Sequence, residues 1–348
     1  MEEIKGNSNN KVILKRVLKI LYYSFLCIVI FVLFLLYGPY NGFRNWYVTT
    51  AMSTMTHQYL AKVFYSDKTI SNILSMNQII ENTESINLDL ISSDLISDKV
   101  EYKDEYDKEI LEHDKNDIYK IIDIKEKGYS GYLVAIYDSS KIKLATSKKL
   151  GVDGEYLTDM ASDNNAVVAI NGGGFLDSNG LGNGGEAQGI LIKDGVILQS
   201  TRFRGKGGGV IGFTNDNKLY LGNVSAEQAI RDNVRDAVEF GPFLIVNGVS
   251  SEVVGNGGYG IHPRSAIGQR KDGIVLFLVI DGRTVTSLGA DMDDLIYIME
   301  RYGAYNAANL DGGNSSVIVV NNKIINHPIN WDNLEKTRPI ADGFVVVR

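Results

Sequence analysis

The chain has 348 residues, 44% of them hydrophobic, with a net charge of −7 and one cysteine. That length and apolar content allow a sizeable core and more than one domain. The lone Cys27 excludes a disulfide framework, a thiolate zinc site and a cysteine nucleophile in the rest of the chain, and no segment outside the N-terminus is basic enough for nucleic acid.

Residues 1–19 form a basic tail carrying Lys5, Lys11, Lys15, Arg16 and Lys19. Residues 20–37 then run without a charge. As a helix, that stretch spans roughly 27 Å, close to the hydrocarbon thickness of a bilayer. Tyrosines flank it, and only Arg44 follows closely. The positive-inside rule therefore puts the N-terminus in the cytoplasm and the remainder outside. The competing reading is a signal peptide, but no A-x-A site follows Tyr37. The expectation is a single-pass cell-membrane protein whose partner is the membrane itself, with an extracellular C-terminal domain.

Residues 38–117 read as a juxtamembrane stalk and an acidic linker. Glu81–Asp117 holds 13 acidic and 4 basic residues, which predicts a solvated spacer. From Ile118 to Arg348 short β-rich runs recur: Ile118–Ile124, Tyr132–Tyr137, Lys143–Thr146, Val167–Ile170, Gly189–Lys193 and Val196–Gln199. Turn dipeptides separate them, including Asp194-Gly195, Asn247-Gly248 and Asn321-Asn322. Helices are few. Tyr156–Asn165 and Asp291–Tyr302 have helical spacing, and Ser225–Gln228 fits a capping box. The fold class is α+β, on a mixed, mostly antiparallel sheet.

Two stretches echo each other. Val167–Phe175 reads V-V-A-I-N-G-G-G-F and Asn306–Asn314 reads N-A-A-N-L-D-G-G-N. Each follows a helical segment and an apolar strand and ends in Asn or Asp before glycines. Either alone is most simply a tight turn. The repetition suggests a duplicated unit whose two corners face one pocket, with Asn171 and Gly172 on one side and Asp311, Gly312 and Gly313 on the other. Glycine lets backbone N–H groups approach a ligand.

Other residue types between the corners carry chemistry. Glu186 ends a glycine-rich loop and is a candidate acid or base, against a solvated loop glutamate. His262 and Arg264 precede a strand; Asp281 and Arg283 follow one. Arginine offers paired planar donors that suit phosphate, although a surface salt bridge is the plain alternative for any one of them. Arg338 is a weaker candidate, and Arg202, Arg204 and Lys206 fit a solvated loop better. Ser315 and Ser316 lack a G-x-S-x-G elbow, but a Ser-His-Asp triad through His262 or His327 stays open. No H-E-x-x-H, histidine cluster or Walker loop occurs. No cofactor and no transition metal are expected; the oxygen-rich loops leave room for Ca²⁺ alone.

The ordered runs A-I-N-G-G-G-F, G-G-E-A-Q-G, G-P-F-L-I-V-N-G, R-S-A-I-G, I-D-G-R, N-L-D-G-G-N-S-S and T-R-P-I-A-D-G-F-V-V-V resemble the phosphodiester glycosidase domain. That domain occurs in a mammalian lysosomal enzyme that removes N-acetylglucosamine from a sugar phosphodiester, and in many bacterial surface proteins. The match covers about Ile118 to Arg348. The resemblance implies an α+β domain that hydrolyses a glycosyl-phosphodiester, with a phosphoglycan as partner. By position it implicates Glu186, Asp281 and Asp311 as catalytic. It also implicates Asn171, Arg264 and Arg283, with Gly312 and Gly313 as the backbone of the pocket; Gly172, His262, Ser315 and Arg338 join them as substrate-binding candidates from the reading of the residues themselves. Gly174 and Asn314 depart from the family pattern, which often has an aromatic and a third glycine there, so the sugar is not specified. A non-catalytic phosphoglycan-binding module is the alternative reading.

Overall fold

The computed structural model describes residues 2–54, 57–92, 102–176, 182–202, 207–329 and 337–348, with side chains from residue 13 onward. Arg204, Lys206 and residues 93–101 of the acidic segment lie outside these. The chain forms two compact units, Met1–Ser75 and Met76–Arg348.

In the first unit one helix runs from Glu2 to Tyr37. Its stretch Ile13–Tyr37 is long and apolar enough to cross a membrane, and 6% of it is buried within the structure. The following residues are not an open stalk. Helices Asn41–Met52, Tyr59–Phe64 and Asp67–Ser75 bury Val48, Ala51, Ala61, Ile70 and Ile73 around Leu36. The Tyr65 hydroxyl donates to the Leu36 carbonyl at 2.7 Å, satisfying one of the open acceptors at the end of the long helix.

The second unit is α+β, as the alternation of short apolar runs and turn residues requires. Its strands form sheets of seven, five and five strands and two small ribbons. Every strand pairing among the described residues is antiparallel. The expected turns set the hairpins. Asp194-Gly195, Asn247-Gly248 and Asn321-Asn322 each place both central residues at positive φ, the geometry that matches strand twist in a two-residue loop. The strand Val196–Gln199 has the bounds its sequence predicts. The helix Met292–Arg301 opens with a reciprocal box in which Asp291 and Asp294 each accept the other's backbone N–H at 3.0 Å. At Ser225 only half of the expected box forms. Gln228 gives its N–H to Ser225 but turns its amide to Asp232.

The duplicated unit is visible in the topology. Strands Ile142–Thr146 and Ala166–Asn171 flank Asp342–Val347, each antiparallel to it, and are joined by the helix Leu157–Asp163. Strands Val275–Ile280 and Ala304–Leu310 flank Arg264–Arg270 in the same way, joined by Met292–Arg301. Both are split β-α-β units, with a late or early strand inserted between two parallel neighbours. The largest apolar core includes Phe213, Phe277 and Phe344 and takes side chains from all three sheets.

The acidic segment behaves differently from the solvated spacer its charge suggests. Gln78–Ile80 pairs with Glu252–Val254. Glu81 Oε1 accepts the backbone N–H groups of Gly208 at 2.7 Å and Phe243 at 2.6 Å, joining the approaches to two sheets. Ile91 is buried, and Ser92 donates to the Lys271 carbonyl. Farther along, Asp107 on the helix Glu105–Leu111 pairs with buried Arg270 at 2.7 Å. Net charge over the segment conceals its few apolar and bridging residues, and those decide its position. The compact unit thus begins at Met76 rather than Ile118.

Glu81→Ala leaves two N–H groups without their acceptor and is expected to cost about 2–3 kcal/mol, read as a lower urea midpoint at unchanged slope. A fragment starting at Ile118 should unfold at lower urea than one starting at Met76.

Candidate active site

Two apolar strands deliver the corners. Ala166–Asn171 and Ala304–Leu310 are buried along their whole length, so each emerges from the core in one fixed direction. They lie in different sheets, and their ends are sewn together. Asn171 Nδ2 donates to the Asp311 carbonyl at 2.7 Å, and the Asp311 N–H donates to the Gly172 carbonyl at 3.1 Å. Asn171 Oδ1 accepts from the Ser265 hydroxyl at 2.6 Å and from the Val317 N–H at 3.2 Å. A buried Asn in an otherwise apolar strand is explained by these partners.

Asp311 sits at the lip, partly accessible, with Oδ1 accepting the Gly312 N–H at 3.0 Å. Gly313 has φ +64, which lets the chain turn sharply into Gly313–Ser315. Burial raises the Asp311 pKa; Ser315, Arg338 and the Gly312 N–H work against that rise. The Ser315 hydroxyl is buried near the carboxyl but short of hydrogen-bond geometry, and Ser316 also lacks a partner among the described residues. Neither serine is therefore activated by a histidine.

Three arginines surround this corner. Arg264 is 6% exposed. It spends Nε on the Ala290 carbonyl and Nη2 on the carbonyls of Tyr259 and Gly260, and Nη1 is unspent among the described residues. A Cβ on Gly312 would lie 3.8 Å from that Nη1. Burial pulls the Arg264 pKa down to about 10, with Asp291 and Asp294 acting the other way. Arg283 Nη1 bonds Asn314 Oδ1 and the Ile329 carbonyl, and a Cβ on Gly313 would lie 3.2 Å from its Nη2. Burial, then the nearby Arg338, lowers the Arg283 pKa. Arg338 lies over the Phe175 ring at 4.3 Å. None of the three forms an ion pair with a carboxylate among the described residues. Cations gathered with their charge only partly countered are costly, and an anion at the corner would relieve that cost.

The other sequence candidates lie elsewhere or serve structure. Asp281 is buried. Its carboxylate is taken up by the His327 N–H at 2.8 Å, the His327 ring at 3.4 Å and the Asn326 amide at 3.1 Å. Those bonds tie the segment at Asn326 to a strand end. His262 bridges to Ala290 through its backbone, alongside Arg264. Glu186 is exposed on a two-stranded ribbon opposite Leu176. Phe175 of the same ribbon carries Arg338 but pairs with Ala187, so Glu186 and Leu176 lie on the ribbon's other, exposed face. Sequence reasoning missed Asp342, whose Oδ1 accepts the Gly173 N–H at 2.7 Å. Its Asp-Gly setting looks like a surface turn; what marks it is the strand it opens, which pairs with the first corner and sets Gly343 opposite Asn171. Among the described residues no three His, Cys, Asp or Glu side chains are grouped to hold a metal ion.

Asn171→Ala strips partners from the Ser265 hydroxyl, the Val317 N–H and the Asp311 carbonyl. It is expected to cost roughly 3 kcal/mol, measured by equilibrium denaturation.

The family model for phosphodiester glycosidases matches residues 164–347. The SPbeta prophage-derived uncharacterized protein YomE of Bacillus subtilis strain 168 is 32% identical over 199 residues, covering 55% of this chain and 30% of that protein. The matched stretch thus spans about three tenths of that relative's length. The zebrafish N-acetylglucosamine-1-phosphodiester alpha-N-acetylglucosaminidase catalytic domain, auto-inhibited by its pro-peptide, aligns with a TM-score of 0.54 at 20% identity, over 68% of this chain and 85% of that one. At that identity the likeness is one of fold. The family match takes in both corners and all three arginines, and the chain belongs to the phosphodiester glycosidase family.

Proposed function

We propose that this protein is a membrane-anchored hydrolase, facing outward, that cleaves the bond between a sugar anomeric carbon and a phosphodiester oxygen. The observation that carries the reading is the set of Arg264, Arg283 and Arg338, in no ion pair with a carboxylate among the described residues, around the partly accessible Asp311. A phosphodiester brings one negative charge to such a place, and planar guanidinium groups bind it through paired N–H donors. The bare backbone of Gly312 and Gly313 lets the phosphate approach closely.

The transition state has oxocarbenium character, which a carboxylate beside the anomeric centre stabilises. Asp311 takes that role. The leaving phosphate is a weak base, so holding its charge matters more than protonating it. Water supplies the oxygen of the new anomeric hydroxyl and leaves one proton on it; the other proton goes to the leaving phosphate monoester or to bulk, with Glu186 as the proton handler. The zebrafish enzyme's name makes N-acetylglucosamine the first sugar to try, in an envelope phosphoglycan or teichoic-acid-like polymer. The alternative, a phosphoglycan-binding module without turnover, gains from one observation. Asp281 is consumed by Asn326 and His327, which leaves fewer carboxylates for chemistry.

Turnover of synthetic sugar phosphodiesters separates the two. Asp311→Asn should lower kcat/KM by about 100-fold or more with binding of the phosphodiester retained. Binding by the wild type without release of free sugar from any of several such substrates would establish the binding module instead. Because burial raises the Asp311 pKa, the acid limb of kcat/KM should lie above the ordinary aspartate range. Arg338→Gln removes a cation that holds that pKa down, so the limb should move further up. Orientation has its own measurement: protease added to intact cells should remove the C-terminal unit, and full protection would reverse the topology.

A further inference from the structure

A second carboxyl belongs to the corner. Asp342 opens the strand Asp342–Val347 and is 1% exposed. Its Oδ1 accepts the Gly173 N–H at 2.7 Å, and its backbone carbonyl accepts the Gly172 N–H at 3.2 Å. The Gly172 carbonyl in turn accepts the Asp311 N–H at 3.1 Å. The two aspartates hold the same residue from opposite sides. The fit is close: a Cβ on Gly172 would lie 2.2 Å from Asp342 Oδ1.

Asp342 Oδ2 is sealed from solvent and has no hydrogen-bond partner among the described residues. The charged group that acts on it is Asp311, of the same sign. From the flanking strands it meets Thr146 and the Asn171 end, both uncharged, and from the helix Leu157–Asp163 the apolar Leu157 lies against the adjoining Gly343. An ionised Asp342 would bury a bare anion beside another anion. Asn171, bonded to the Asp311 carbonyl, is already neutral and has partners on both amide atoms.

We propose that Asp342 is a positioning residue of this site, acting as a neutral carboxylic acid that fixes the Gly172–Gly173 backbone and leaves the corner's single negative charge on Asp311. This rests on the glycosidase reading above. Asp342 does not touch substrate; it acts through the backbone that Asp311 is bonded to. Burial pushes its pKa up to about 7, against the Gly173 N–H and with Asp311 adding to the rise. A carboxyl raised in this way costs folding stability. The cost is absent below the unfolded pKa near ~4, grows as pH rises, and is complete once the folded group ionises near ~7.

The test uses the full chain in detergent micelles with a synthetic N-acetylglucosamine phosphodiester, from about pH 5 to about pH 9. For the wild type, kcat/KM should fall as pH rises through about 7. Asp342→Asn, permanently neutral and the same shape, should keep activity within about 3-fold at the acid end and move that alkaline limb up by about one pH unit or more. Asp342→Ala, lacking the acceptor, should lose activity across the range. The thermal midpoint of Asp342→Asn minus that of the wild type should rise with pH. An unchanged alkaline limb in Asp342→Asn, or a midpoint difference that is flat with pH, overturns the proposal. Absence of turnover by the wild type removes the glycosidase reading and the positioning role with it, while the midpoint difference still decides whether Asp342 carries a proton.

Discussion

The exchange of backbone and side-chain hydrogen bonds between Asn171, Gly172 and Asp311 holds the site together. Two strands from different sheets end within one hydrogen bond of each other. The strands upstream of those ends are buried along their whole length, so the pairing fixes the two corners relative to each other. Asn171 is the key residue because an amide can donate and accept at once. It gives one N–H to the Asp311 carbonyl and takes two donors on its oxygen. Aspartate could not do that, and leucine would leave three groups without partners.

The electrostatics follow from the same construction. Strands that run buried to their ends deliver arginines into places with little water. Arg264 is held by three carbonyl contacts, which satisfy its hydrogen bonds without neutralising its charge. Arg283 and Arg338 lie close enough to disfavour each other. A surface ion pair is worth little, but a buried cation without a counter-ion is a standing cost. Such a cost is retained where a ligand removes it. Around Asp311 the net effect is a cluster of three cations, in a chain whose overall charge is −7.

The segment ahead of the three sheets has a structural part in this arrangement. Glu81 joins Gly208 and Phe243. Phe243 follows Pro242, whose carbonyl accepts the Asn309 N–H two residues before Asp311. A path of hydrogen bonds therefore links the acidic segment to the site. The Asp107–Arg270 pair secures the next part of the segment to the opposite end of the Arg264 strand.

By itself the sequence determined the local elements. The paired Asn and Asp-Gly turns require positive φ, which few residues other than glycine and asparagine tolerate. The four apolar positions Met292, Leu295, Ile296 and Met299 allow one buried helix face. The echo between V-A-I-N-G-G and A-N-L-D-G-G announced a duplication, and the run of seven motifs fixed the family. Tertiary structure decided what those elements are for. Net charge in the acidic segment averages over Glu81, Ile91, Asp107 and Ile110, the residues that bond or bury it. Asp281 and Asp342 each stand beside a glycine at a strand end, and sequence could not tell them apart. One is spent on Asn326 and His327, while the other is sealed against Gly173 with one oxygen unpaired. That difference depends on partners 45 and 169 residues away, which is a distance only folding closes.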